Sequence, residues 1–251
     1  MNMHNTFTTE KSHTKLSRRD AIKIMGISPI AASVLASAGT SSIAEACADV
    51  SGKIIIVGGG SGALMALSRI KRAIKNPDIT IIAPNEVHLY QPGQVFIGAG
   101  EMEMEDILLD NNDYIDPDEV TWIKDEVNVF DPDNNTLTTR AGEELQYDYL
   151  IVATGAQYNY EEIEGLTKED IGKNGITSVY LSDLEKGTSV GATATWEWNK
   201  ALKEAAKTSV QKVIFTHPNT KIKCGGAPQK VMYLTADYLK KDGLSAEYSF
   251  M

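Results

Sequence analysis

Cysteine is scarce in this 251-residue chain: Cys47 and Cys224 are its only two. That excludes a disulfide-built scaffold and leaves each thiol to be either an inert core residue or a reactive group. The sequence offers no metal site. An excess of positive charge is also missing, since 24 Lys and Arg face 34 Asp and Glu for a net charge of −10. Five of those bases and three of those acids lie in residues 1–48, so the remainder carries 19 bases against 31 acids. An acidic body argues against nucleic acid, and against holding an anionic membrane by charge alone. Long hydrophobic runs are absent as well. What is present is ordinary globular composition, 42% hydrophobic and 23% charged, enough for one large or two small domains with a true core.

Residues 1–48 read as an address. Ser17-Arg18-Arg19-Asp20-Ala21-Ile22-Lys23 precedes a mildly apolar stretch from Ile24 to Ala38, and Ala44-Glu45-Ala46 or Ala46-Cys47-Ala48 fits a small-residue cleavage site. Gly26, Pro29 and Gly39 interrupt the stretch, which is too short for a membrane span. Paired arginines in this setting resemble a twin-arginine signal and predict a periplasmic protein. Cys47 is then removed with the signal.

The next segment has a nucleotide-binding pattern. Lys53-Ile54-Ile55-Ile56-Val57 is the β-branched run of a buried parallel strand, and Gly58-Gly59-Gly60-Ser61-Gly62-Ala63 follows at once. Leu64, Leu67, Ile70 and Ile74 then recur at helical spacing, Asn76-Pro77-Asp78 closes the helix, and Ile79–Ile82 supplies a second strand. In this βαβ unit Gly58 permits the tight turn, Gly60 lets backbone approach a pyrophosphate, and Ala63 keeps helix close to strand. Ser61 and Gly62 open the helix, whose N-terminus favours phosphate. Ala83 stands where an Asp or Glu usually takes the ribose hydroxyls. Asn85, Glu86 or backbone groups are the alternatives.

A hairpin-like region follows, from Thr121-Trp122-Ile123 through Val127–Phe130 and a turn at Asp131–Asn135 to Thr136-Leu137-Thr138. Tyr147–Val152 is an apolar strand running into Ala153-Thr154-Gly155, about ninety residues after the glycine motif. The two motifs in this order resemble the two-dinucleotide-domain flavoproteins that include the pyridine nucleotide–disulfide reductases, and so imply FAD. That resemblance implies that Val127 touches the adenine through its backbone, and that Thr154 and Gly155 border the cofactor. The segment His88–Gly100 reads as a loop with a Pro92-Gly93 turn and then a short apolar stretch. His88 is read as a satisfied structural histidine. Cys224 lies after the strand Lys212–Phe215 and before a helix from about Gln229 to Lys241, among glycines and near Lys221, Lys223 and Lys230. Such a setting favours a thiolate. Acidic stretches at Glu101–Asp106 and Asp110–Glu119 are solvated loops and short helices. Trp196 and Trp198, on the helical segment Asp183–Lys207, are packing residues.

Tyr90-Gln91-Pro92-Gly93 and Lys223-Cys224-Gly225-Gly226-Ala227-Pro228-Gln229-Lys230 together resemble the sulfide:quinone oxidoreductases, over nearly all of residues 52–251. The resemblance implies oxidation of sulfide to sulfane sulfur, with electrons passing through FAD to a quinone. It makes Cys224 one of two redox cysteines, the other having no counterpart here. It further implies peripheral membrane association through a C-terminal part this chain lacks, and leaves a homo-oligomer open. The expected fold is α/β: a signal at 1–48, a Rossmann-like FAD-binding βαβ domain with an inserted β-hairpin region at 49–160, and an incomplete second dinucleotide-binding-like domain at 161–251. A strand from Ser245 to Met251 is expected to have nothing after it that pairs with it or covers it, and the isolated chain not to be a competent quinone reductase. The alternatives are the flavoprotein subunit of a flavocytochrome c sulfide dehydrogenase, or an inactive nucleotide-binding product. Against an NADH:quinone reductase, no second glycine motif follows the strand at Lys212–Phe215.

Overall fold

The computed structural model describes residues 51–251. The stretch read as a signal, with Cys47, lies outside the described residues. The core is a parallel sheet ordered β5-β2-β1-β9, built from β1 (Lys53–Val57), β2 (Asp78–Ile82), β5 (Thr121–Ile123) and β9 (Tyr149–Val152). Helix α1 (Ser61–Ala73) connects β1 to β2. Each strand of β1 and β2 is apolar at nearly every position because both faces are covered. Ile54 and Ile56 pack with Ala63, Leu64 and Leu67 of α1 on one face. Ile55 and Val57 pack with Leu137 and Tyr147 on the other.

The cover on that second face is an antiparallel unit of β6 (Val127–Asp131), β7 (Thr136–Thr139) and β8 (Glu144–Gln146). Thr121–Ile123 corrects its expected place: it belongs to the parallel sheet beside β2, with Thr80↔Thr121 through Ile82↔Ile123 in register. A three-residue strand carries no local mark of its partner, so only packing assigns it. The segment after β2 is likewise more ordered than a loop. β3 (Val87–Leu89) pairs antiparallel with β4 (Leu108–Asp110), and Gln91–Gly98 is a helix, α2. Pro92-Gly93 is therefore no turn. Proline suits a first helical turn, where its missing N–H has no partner to lose.

The C-terminal part comprises α3 (Val190–Ala206), β10 (Gln211–Phe215), α4 (Ala227–Lys240) and β11 (Ala246–Phe250). The strand at the end pairs back on an earlier one: β11 runs parallel to β10 from Gln211↔Ala246 to Phe215↔Phe250. Helix α4 acts as the crossover that returns the chain beside β10. Leu202, Val213, Phe215 and Leu239 form its core, with Trp198 packed against them. Trp196 closes over Gly100, as expected of a packing residue. Helix α2 docks on this part through the apolar pair Ile97 and Ala192 and through polar contacts. Gln94 Nε2 donates to Ser182 Oγ and Ser189 Oγ, both at 2.7 Å. Asn199 Nδ2 donates to the Gly98 carbonyl at 2.8 Å, and its Oδ1 accepts from Thr235 at 3.1 Å. Among the described residues no buried side-chain nitrogen or oxygen lacks a partner.

Candidate functional site

The carboxyl ends of the parallel strands meet at one rim. Gly58 N–H donates to the Ile82 carbonyl at 2.9 Å, Ala83 N–H to Ile123 at 3.0 Å, and Ala153 N–H to Val57 at 2.8 Å. Chain from β1 goes to one side and β9 lies on the other, which is where open α/β sheets leave a crevice. Gly58 has φ +120°, and a Cβ there would stand 2.4 Å from the Ala153 carbonyl oxygen. Gly60 faces nothing within 4 Å. One glycine is thus needed by the protein itself, and the other leaves space for something else.

Gly60 is the N-cap of α1, with no side-chain cap and no acidic residue in the first turn. Ser61 and Gly62 are exposed and Ala63 is fully buried against the sheet. The unsatisfied N–H groups of that turn, with the helix dipole behind them, suit a pyrophosphate. Thr154 and Gly155 are exposed on the facing rim, Gly155 at φ +81°. Val127 opens β6, where the pairing with β7 shifts register between Val127 and Val129. The ribose alternatives are narrowed. Glu86 forms an ion pair with Lys124. Asn85 gives its backbone carbonyl to Asn111 Nδ2 at 3.0 Å. Ala83 is buried, its carbonyl accepting from Trp122 Nε1 at 3.0 Å. His88 is buried and its Nδ1 meets Asn111 Oδ1 at 2.7 Å, as a structural histidine would.

Cys224 is exposed, three residues ahead of α4, and its carbonyl accepts from Ala227 N–H at 3.0 Å. Its surroundings include groups no linear reading joins to it. Lys223 Nζ donates to Gln91 Oε1 on α2, and Gln91 Nε2 donates to the Tyr158 hydroxyl. Tyr158 lies three residues past Gly155 and stacks on Tyr180, with ring centroids 5.6 Å apart and planes 7° from parallel. Burial, then the neighbouring Tyr158 and Cys224, pushes the Tyr180 phenol up to about 12. Burial and then Tyr160 raise Tyr158, against which the Gln91 hydrogen bond pulls. Both phenols stay protonated at neutral pH. Of the lysines expected around Cys224, Lys223 is thus engaged by Gln91. The sequence motifs held Gln91 and Lys223 separately, and nothing in the sequence joined either of them to Tyr158 or Tyr180. Among the described residues no cluster of three His, Cys, Asp or Glu could hold a metal.

A family model described as pyridine nucleotide-disulphide oxidoreductase matches residues 52–194. The mitochondrial sulfide:quinone oxidoreductase of Dictyostelium discoideum is 44% identical over 194 residues, 76% of this chain and 40% of that protein. The mitochondrial sulfide:quinone oxidoreductase of Mus musculus is 36% identical over 192 residues, 76% of this chain and 39% of that one. The X-ray structure of the sulfide:quinone oxidoreductase from Aquifex aeolicus superimposes with a TM-score of 0.58 at 24% identity. That match covers 76% of this chain and 40% of the other, and it bears on the fold. The chain spans about 40% of the length of the curated relatives it matches.

Proposed function

The chain belongs to the pyridine nucleotide-disulphide oxidoreductase family, and from that premise we propose that it works in sulfide oxidation, with FAD as cofactor and a quinone as acceptor. The observation that carries this reading is the docking of an exposed thiol, Cys224, beside the segment that follows Ala153-Thr154-Gly155. Lys223, Gln91 and Tyr158 make that junction. The names of the two curated relatives quoted above support the same substrate pair.

The residues fit FAD. The uncapped α1 N-terminus and the open space at Gly60 would hold the pyrophosphate, Val127 would border the adenine, and Thr154 and Gly155 would line the other wall. With Ala83 apolar and Glu86 paired to Lys124, backbone groups and Asn85 would take the ribose. What FAD supplies when bound is acceptance of the two electrons released as a sulfur–sulfur bond forms. Cys224 is the sulfur to which a hydrosulfide joins, its proton going to solvent. The protonated Tyr158 and Tyr180 form a rigid wall of that site and add no charge to repel the sulfide anion.

Residues 49–160 then serve as the FAD-binding part and 161–251 as the part that brings the thiol. Quinone is lipid-soluble, so peripheral membrane association goes with the proposal. Among the described residues no helix is long and apolar enough to cross a membrane. The twin-arginine pattern at Arg18-Arg19 supports a periplasmic site. The reading is tested by mixing the FAD-loaded chain with sulfide without oxygen. Loss of the flavin's visible absorbance is expected, slowed about 100-fold or more by Cys224→Ala. No bleaching in the wild-type chain would sink the sulfide reading.

A further inference from the structure

We infer that Gln91 is a positioning residue for Cys224, a two-ended amide clamp that pins the thiol's loop to the segment bordering the cofactor. This rests on the reading of Cys224 as the working thiol. Residues 216–226, between β10 and α4, form no helix or strand. Among the described residues, the one side-chain hydrogen bond leaving that loop runs from Lys223 to Gln91. Gln91 answers with its other end, donating to Tyr158. A carboxamide offers an acceptor and a donor at once, so it can hold an ammonium group and a phenol together. Tyr158 is itself fixed by its stack on Tyr180. Helix α2 holds Gln91 in place, because Gln94, one turn on, is buried and bonded to Ser182 and Ser189. A relay through three stretches far apart in sequence, Tyr180 to Tyr158 to Gln91, thus ends on the residue next to Cys224.

The test is alkylation of Cys224 by iodoacetamide across pH in the full chain, scored on the Cys224 peptide by mass spectrometry so that Cys47 does not contribute. Gln91→Leu is expected to raise the plateau rate about fivefold by freeing the loop. Lys223→Met should do the same, and the double variant should be no faster than Gln91→Leu alone. Gln91→Glu keeps the clamp, because a carboxylate accepts from ammonium and phenol alike. Its plateau should stay at the wild-type value while the added negative charge moves its midpoint to higher pH. An unchanged rate in Gln91→Leu, or additive effects in the double variant, overturns the clamp. Sulfide bleaching of FAD-loaded Cys224→Ala at wild-type speed would overturn the underlying thiol reading instead, a failure the alkylation cycle does not share.

Discussion

Gly58 stands at φ +120° with the Ala153 carbonyl 2.4 Å from where a Cβ would sit, whereas Gly60 faces open space. The two therefore respond differently to alanine. Gly58→Ala is expected to lower stability by about 1–3 kcal/mol even without FAD, seen as a drop in melting temperature. Gly60 has φ −86°, which any residue adopts. Gly60→Ala should change apo stability by no more than about 0.5 kcal/mol, yet weaken FAD about tenfold in a flavin titration. Tyr180 gives a pH signature. Its folded pKa of about 12 lies above the ordinary 10.0, so the folded state holds the proton more tightly. The resulting stability is fully present below pH 10 and is lost as pH rises toward 12. Denaturant midpoints measured over that window should fall less steeply in Tyr180→Phe than in the wild type.

At the scale of elements, the joint between α2, α3 and α4 sets a buried polar network beside the apolar contact of Ile97 and Ala192. Asn199 is buried and serves both the Gly98 carbonyl and Thr235. Asn199→Ala is expected to cost about 1–3 kcal/mol, because it leaves a buried carbonyl without its donor. A denaturation curve with a shifted midpoint and unchanged slope would report it. Adding Thr235→Ala should cost less than the sum of the two single changes, since both act on one network. The polarity has a geometric reason. Gly98 brings α2 so close to α3 that a Cβ would lie 3.1 Å from Thr195, a gap small enough for an amide to reach across to backbone.

At the scale of the whole molecule, the parallel sheet sets the cofactor rim and the C-terminal βαβ unit brings a thiol toward it. The proposed export belongs to this scale, because a twin-arginine route carries proteins already folded around a cofactor. Replacing Arg18 and Arg19 by lysine is expected to strand the chain in the cytoplasm with its flavin bound. Fractionation followed by an absorbance spectrum checks both halves of that statement.

Much of the nucleotide rim was legible because its determinants are local. A β-branched run, three spaced small residues and a helical period lie within thirty residues of one another, and each imposes its conformation on its own backbone. Short strands without a local partner signal, such as Thr121–Ile123, could not be placed this way. Pro92-Gly93 misled for a related reason: the same dipeptide serves a turn or a helix start, and only the burial of Gln94, Val95 and Ile97 decides. The sequence by itself determined the glycine cradle, the α/β class and the single thiol beyond residue 50. Only the tertiary structure decided what surrounds that thiol. Gln91, Tyr158, Tyr180 and Lys223 come from four separate stretches, and side-chain contacts at such separations exist only once the sheet and helices have packed.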